Sequence, residues 1–259
     1  MFESGFLGSL KFLERNAVQA TLFVVANSLN DPRKLELVQE AVRQGHEIAS
    51  HSLTHPNLTL LDTEQKRREI AESREKIEKL LGVPVRGFRA PGYGIDRECF
   101  ALLERYGYAY DSSVLPNRHF ASQLEIPLSL LAAPQKDFLG TKLVELPVPR
   151  YRPLPFPFNP SYSLLLGMGY FRLGFRRFVK RNSPMVLLFH LTDMADPVPR
   201  EWLNGLKASI FTLSIISRER KQAYCQAMLD MVRQHYQLLT TSALLTSPRL
   251  VGGQVAQAQ

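Results

Sequence analysis

The chain has 259 residues, 45% hydrophobic and 22% charged, which is enough apolar matter for one full core and excludes a disordered or low-complexity protein. Its 32 Lys and Arg against 24 Asp and Glu leave a net charge of +8; this points to an anionic partner or a membrane surface, and with no recognisable nucleic-acid module it does not point to nucleic acid. The only two cysteines, Cys99 and Cys225, fall inside helical patterns, so no disulfide framework is implied and a reducing, cytoplasmic setting is expected.

In chain order, Ala20-Thr21-Leu22-Phe23-Val24-Val25 is a short β-branched apolar run of the kind that fills a buried strand. A polar loop from Asn27 to Pro32 follows; then Leu35, Val38, Ala41 and Val42 recur at helical spacing, and Gly45 is placed to stop the helix. Ile48 and Ala49 read as a second short strand, with His51 and His55 just past its carboxyl end, the edge where active sites of α/β folds gather. The two histidines are spaced i, i+4. On a helical turn that spacing puts both imidazoles on one face, where they can hold one divalent ion; the rival account is a capped, solvated helix start with incidental histidines.

Glu64 to Leu81 reads as a charged helix. Pro91-Gly92-Tyr93-Gly94 is a tight turn whose two glycines permit positive φ, and Arg89, between Phe88 and Ala90-Pro91, sits in an apolar setting that favours burial and calls for a carboxylate partner. Tyr110-Asp111-Ser112-Ser113 is good turn chemistry. From Leu154 to Phe178 the chain is apolar and aromatic, with Arg172, Arg176, Arg177, Lys180 and Arg181 clustered beside it. Proline and glycine interrupt this run before the ~20 apolar residues a spanning helix requires. It either lies at a bilayer interface or forms an insertion, over 150–182, that packs on the rest and exposes its charges. Met185-Val186-Leu187-Leu188-Phe189-His190 is an apolar strand pattern ending in a histidine. Arg218 to Tyr236 reads as a helix with Ala223, Ala227, Met228, Met231 and Val232 on one face, and Gln237 to Thr241 as a last strand. His119 and His235 match no motif. One domain over 1–247 and a disordered tail over 248–259 are expected.

Taken in order, ATLFVV from Ala20, HEIASHSLTHPNL from His46, FRAPGYG from Phe88, YDSS from Tyr110 and LLFH from Leu187 resemble the polysaccharide deacetylase family that shares the NodB homology domain. The resemblance runs from the first residues to about His190 and continues more weakly to the C-terminal helix. It implies an α/β fold, a distorted (β/α) barrel, that uses a metal ion to remove N-acyl or sometimes O-acetyl groups from sugars. By the same resemblance a divalent ion, zinc foremost, is held by two histidines and a carboxylate: His51, His55 and Glu3. His190 would protonate the leaving nitrogen, Asp111 would orient it with Asp193 as a substitute, and Arg89 would orient a basic aspartate. The turn at Pro91, Gly92 and Tyr93 would serve the substrate, with an oxyanion donor at the Gly92 or Tyr93 amide and the Tyr93 ring lining the sugar site. His46 lies a turn too early and is structural.

One departure bears on the site. The family's first motif is a strand followed by Asp-Asp-Gly or an Asp-x-Asp/Glu variant, whereas this chain opens with Met1-Phe2-Glu3-Ser4-Gly5-Phe6. Matched to Phe-Asp-Asp-Gly, Glu3 becomes the base and Ser4 a poor ligand; matched to Asp-x-Glu, Glu3 is the ligand and the base is missing. The second is the more economical, since a hard carboxylate completes a His-His-carboxylate set, and it expects a strand with its aspartate upstream. A solvated terminal residue is the rival account of Glu3. The expected activity is deacetylation of an N-acetylated saccharide or its lipid-linked form, with peripheral contact at the inner membrane face. The alternatives are a catalytically silent sugar-binding relative and a basic peripheral membrane module whose histidines are incidental.

Overall fold

Helix α1 (Phe2–Arg15) leads into β1 (Thr21–Val24), the strand that the apolar run at 20–25 announces. The computed structural model describes residues 1–150, 158–182 and 184–247. A second strand, β2 (Glu47–Ser50), pairs with β1 in parallel, from Thr21 opposite Glu47 to Val24 opposite Ser50. Parallel neighbours need a crossover, and α2 (Pro32–Arg43) provides it. Its limits are written in the sequence: Asp31 accepts from the Arg33 and Lys34 amides, Pro32 takes a position that needs no N–H, and the chain leaves through Gly45 at φ 81°.

The unit repeats. Helix α3 (Thr63–Leu81) starts on a capping box between Asp62 and Gln65, stops at the left-handed Gly82, and delivers the chain to β3 (Gly87–Phe88). Helix α4 (Arg97–Arg105), capped by Asp96, leads to β4 (Tyr110–Asp111); the short α5 (Arg118–Gln123) lies in the connection to β5 (Val144–Glu145). All neighbouring strands are parallel and the order is β1-β2-β3-β4-β5. A doubly wound sheet would reverse its order at a switch point. Strictly sequential order is the order of a (β/α) barrel, here a distorted one with very short strands.

Strand alternation divides the apolar residues. Ile48 and Phe88 pack outwards against Leu37, Val38, Ile70, Ile77 and Phe100 of the helices, while Ala49, Tyr110 and Leu146 meet on the inner side. A side chain at Gly87 would place its Cβ 1.9 Å from the Tyr110 ring, so this inner packing requires glycine there.

A second core follows the sheet. Helices α6 (Pro160–Leu166), α7 (Met168–Arg181) and α9 (Arg218–Arg233) enclose Phe158, Phe171, Phe175, Met228, Leu229 and Val232, with Phe12 of α1 reaching in. Between them α8 (Gly205–Phe211) buries nothing, and α10 (Thr241–Thr246) returns to β2, where Ser242 donates to Glu47. Of the segment 150–182, residues 151–157 lie outside those described, as does the tail over 248–259. No helix among the described residues is long and apolar enough to cross a membrane.

Two expected strands do not form. Residues 185–190 join no sheet; the outer edge of β5 is taken by Gln135, which exchanges both backbone hydrogen bonds with Glu145. The 237–241 segment fails as a strand because Thr240 caps α10, accepting from the Ala243 amide.

Candidate active site

β2 ends at Ser50, and the His51 amide donates to the Val24 carbonyl at 2.8 Å, which hangs His51 on the carboxyl edge of the sheet. The two imidazoles do meet, with ring centroids 4.9 Å apart and planes at 76°. They meet on a loop and not on a helical turn: Ser52 at φ 65° and His55 at φ 72° fold the segment back. Glu69 of α3 holds that loop, one carboxylate oxygen accepting from the Leu53 and Thr54 amides at 2.9 Å each and the other from the Thr54 hydroxyl at 2.6 Å. The Ser52 hydroxyl accepts from the His55 amide at 2.9 Å. Glu69 is absent from the sequence expectations because its helix reads as a solvated, charged one. The available signal is its place on the buried stripe with Lys66, Ile70, Ser73 and Ile77.

His51 Nδ1 lies 2.6 Å from the Arg89 carbonyl. A carbonyl only accepts, so Nδ1 carries the proton and Nε2 keeps its lone pair, the tautomer a metal ligand needs. Burial is the main force that lowers the His51 pKa to about 4, the carbonyl bond opposing it and the charges of His55, Arg89 and His190 adding to it. His51 is therefore neutral at neutral pH. The ring contact with His55 and the bond to the Arg89 carbonyl gather these three residues at one end of the strands, and the charge of His190 is felt there too.

The Arg89 guanidinium is buried. Its Nε donates to the Ser112 carbonyl at 2.8 Å, Nη2 donates to the Ser112 hydroxyl at 2.7 Å, and the group stacks 4.0 Å over the Phe23 ring. The expected carboxylate hydrogen bond is not made among the described residues; desolvation lowers the Arg89 pKa, while Tyr93, Asp111 and Glu145 favour its charge from nearby. In the turn that follows, Gly92 has φ 57°, but the second residue with positive φ is Tyr93 at 62°, not Gly94. Gly94 is required for space: a Cβ there would come within 2.0 Å of the Asn57 side chain. The Tyr93 amide already donates to Ala90 at 3.1 Å, which leaves Gly92 as the better placed of the two expected donors. Burial raises the pKa of the Tyr93 phenol.

Asp111 does not orient His190. It sits in β4, fully buried, and its oxygens accept from the Ser113 amide at 2.9 Å and the Ser113 hydroxyl at 2.7 Å. Its register partner is Glu145 of β5, also buried, which accepts from the Val114 amide at 3.1 Å. Burial lifts Asp111 to about 6, and burial followed by the charge of Asp111 lifts Glu145 well above the usual carboxylate range.

The acid on His190 is Asp193, acting through Ser161 at the start of α6. The Ser161 hydroxyl is 2.7 Å from Asp193 Oδ1 and 2.8 Å from His190 Nδ1. An ionised carboxylate only accepts, so the hydroxyl donates to Asp193 and its lone pair accepts the Nδ1 proton of His190. The His190 amide completes the loop by donating to Asp193 Oδ2 at 2.8 Å. Burial raises Asp193 to about 6, opposed by Ser161, the His190 amide and the buried Lys221. His190 itself reaches solvent, yet desolvation, and after it the charge of Arg89, lowers its pKa.

Glu3 is placed elsewhere. It lies in the first turn of α1, half exposed, and pairs with Arg33 at 2.7 Å. Among the described residues no three His, Cys, Asp or Glu side chains stand close enough to hold a metal ion. The expected triad of Glu3, His51 and His55 is therefore not assembled: the helix that begins at Phe2 turns Glu3 towards α2. The donors that do fit an ion are two imidazoles, one with its tautomer fixed.

Residues 8–110, which contain His51, His55 and Arg89, match the family model described as polysaccharide deacetylase. The chain is 35% identical over 108 residues to a peptidoglycan deacetylase-like protein of Gibberella zeae, an alignment covering 40% of this chain and 31% of that one. It is 40% identical over 68 residues to a chitooligosaccharide deacetylase of Rhizobium leguminosarum bv. trifolii, covering 26% of this chain and 31% of the relative. The match thus spans under a third of either relative's length. In fold, the chain is similar to a crystal structure from Mycobacterium smegmatis assigned as a polysaccharide deacetylase. The TM-score is 0.67 at 19% identity, over 99% of this chain and 80% of the other.

Proposed function

Since residues 8–110 match the polysaccharide deacetylase family model, we propose that this chain is a hydrolase removing an acyl group, N-acetyl foremost, from a free or lipid-linked saccharide. The observation that carries this reading is the edge-on pair of His51 and His55 at the carboxyl end of a sequential parallel sheet, with the Nδ1 proton of His51 locked on Arg89. These two imidazoles would hold a divalent ion of the zinc class, which supplies Lewis acidity towards the acyl carbonyl. Further donors to that ion are not among the groups identified above. With its proton on Nδ1, the ring nitrogen of His190 not engaged by Ser161 has a free lone pair; it would take a proton from the attacking water and pass it to the leaving nitrogen. Ser161 and Asp193 fix its tautomer. Arg89 and Ser112 keep the floor of the site rigid, and Pro91, Gly92 and Tyr93 wall the saccharide.

The test is elemental analysis of the purified full chain and of a His51→Ala, His55→Ala double variant, together with acetate release from chitooligosaccharides. About one ion per chain, lost in the double variant along with acetate release, supports the reading. Equal metal in both removes its basis. The bonding of Arg89 to Ser112 in place of a carboxylate favours one other reading, a catalytically silent saccharide-binding relative. Calorimetric binding of the oligosaccharide without acetate release selects it.

A further inference from the structure

The hairpin that brings Ser161 to the site carries a cationic outer face. On α7 the buried residues are Tyr170, Phe171, Gly174 and Phe175, and the exposed ones are Arg172, Leu173, Arg176, Arg177, Lys180 and Arg181. The sequence contains no acidic residue between Glu145 and Asp193. Arg172, Arg176, Lys180 and Arg181 make no ion pair among the described residues. Leucines are interleaved with this charge: Leu165 and Leu166 at the end of α6 and Leu173 on α7 are all exposed.

A second exposed surface belongs to the same helical module. Trp202, Leu206 and Phe211 are 77%, 70% and 85% exposed, and Ile215 is also open. Nothing on α8 is buried, yet the segment is anchored to the second core through Leu213. Large aromatic and aliphatic residues left in water at this density mark an interaction surface. A nucleic-acid backbone would use the cations and leave the leucines and Trp202 in water. A bilayer interface uses both, since its headgroups attract Lys and Arg while Trp, Phe and Leu enter the boundary below them.

We propose that the outer face of α6–α7 and the 202–215 segment dock this protein on an anionic bilayer surface, so that the saccharide reaching His190 is one anchored in that membrane. The identity of the substrate rests on the deacetylase reading; the docking does not. Ser161 opens α6 and bonds His190, so the docking hairpin and the site are one continuous structure.

Trp202 is the only tryptophan of the chain, which makes its fluorescence a direct probe. The full chain is titrated with phosphatidylglycerol-containing vesicles and with pure phosphatidylcholine vesicles, and co-sedimentation is measured in parallel. The expected result is a blue shift and sedimentation with anionic vesicles only, weakened by roughly 1 M salt. An Arg172→Glu, Arg176→Glu, Lys180→Glu, Arg181→Glu variant with unchanged far-UV circular dichroism should lose at least about 100-fold in partitioning, each cation near the surface contributing about fivefold. Should that variant not fold, Phe211→Ser, on the helix that buries nothing, is expected to weaken binding by itself. Absence of binding, or equal binding to both vesicle types, overturns the docking. So does a concentration-dependent dimer that buries Trp202 without vesicles. Vesicle binding by the unaltered chain, with no acetate release from any substrate, would leave docking standing and remove the deacetylase reading. Release from soluble oligosaccharides without vesicle binding would do the reverse.

Discussion

The two histidine-bearing parts of the site are held in opposite ways. His51 and His55 follow a strand with four register pairs to β1, and their loop is tied to α3 by three bonds to Glu69. His190 follows a segment that joins no sheet, and what fixes it are the bonds among its own ring and amide, Ser161 and Asp193. A backbone ladder tolerates most single side-chain changes; a loop held by side chains depends on a few atoms. Damage to the supports of the first part should therefore appear mainly as lost stability. Damage to the second should appear mainly as lost turnover.

The largest effect expected is on turnover. Removing the ring in His190→Ala takes away the proposed acid and should lower acetate release by roughly 100-fold or more. Metal content and melting temperature should barely move, because no strand depends on this residue. A variant that loses its metal would make His190 a ligand and dissolve the contrast between the two parts.

On the sheet side the corresponding measurement is stability against pH in metal-free protein. The His51 pKa falls from 6.5 to about 4 on folding, so the unfolded chain binds a proton between these values that the folded chain does not. Stability from this group is complete above pH 6.5 and is lost as pH falls towards 4, an effect of up to about 3 kcal/mol. Asp193 works the other way, its raised pKa of about 6 costing stability as pH climbs through that range. The comparison must therefore be between wild type and His51→Gln, whose denaturation free energies should diverge from pH 4 to 6.5. Parallel curves would show that His51 is not the buried neutral imidazole described here.

Glu69→Ala should cost about 2–3 kcal/mol, since it strands the Leu53 and Thr54 amides and the Thr54 hydroxyl without their acceptor. Urea titration measures this loss. The cost should exceed that of any substitution at Ser161 or Asp193; a near-neutral result would mean that water replaces the carboxylate and that the loop is no better anchored than the one around His190.

This asymmetry also explains what could be read from the amino-acid sequence. Strands β1 and β2 and helices α2 and α3 are legible because each rests on local signals: apolar runs, Asp31 and Asp62 at helix starts, Gly45 and Gly82 at helix ends. The convergence of His51, His55 and Arg89 is legible only through the family resemblance. Ser161 stands 29 residues from His190 and 32 from Asp193, and nothing local in a serine after Asn-Pro announces a hydrogen bond across that distance. Asp111 is misleading for the same reason. The family resemblance makes it an orienting acid, but only the structure reveals Glu145 beside it in the register with β5 and its oxygens turned to Ser113. Glu3 fails as a ligand because residues 2–15 are helical, a conformation that a Phe-Glu-Ser-Gly match to a strand-end motif does not anticipate.

The smallest effect sharpens the comparison most. Ser161→Ala removes one hydroxyl: the Nδ1 proton of His190 loses its acceptor and Asp193 loses a donor, while the His190 amide still holds the loop at Asp193 Oδ2. One such bond is worth about 1–1.5 kcal/mol, so turnover should fall roughly tenfold with little change in melting temperature. A merely structural serine would give no spectroscopic signature. A positioning serine should shift the ¹⁵N resonances of His190 towards the other tautomer, and Ser161→Thr, which keeps the hydroxyl, should restore both tautomer and rate. If Ser161→Ala leaves the His190 resonances and turnover unchanged, His190 is held by its backbone, and the side-chain-held half of the site is as independent of single atoms as the strand-held half.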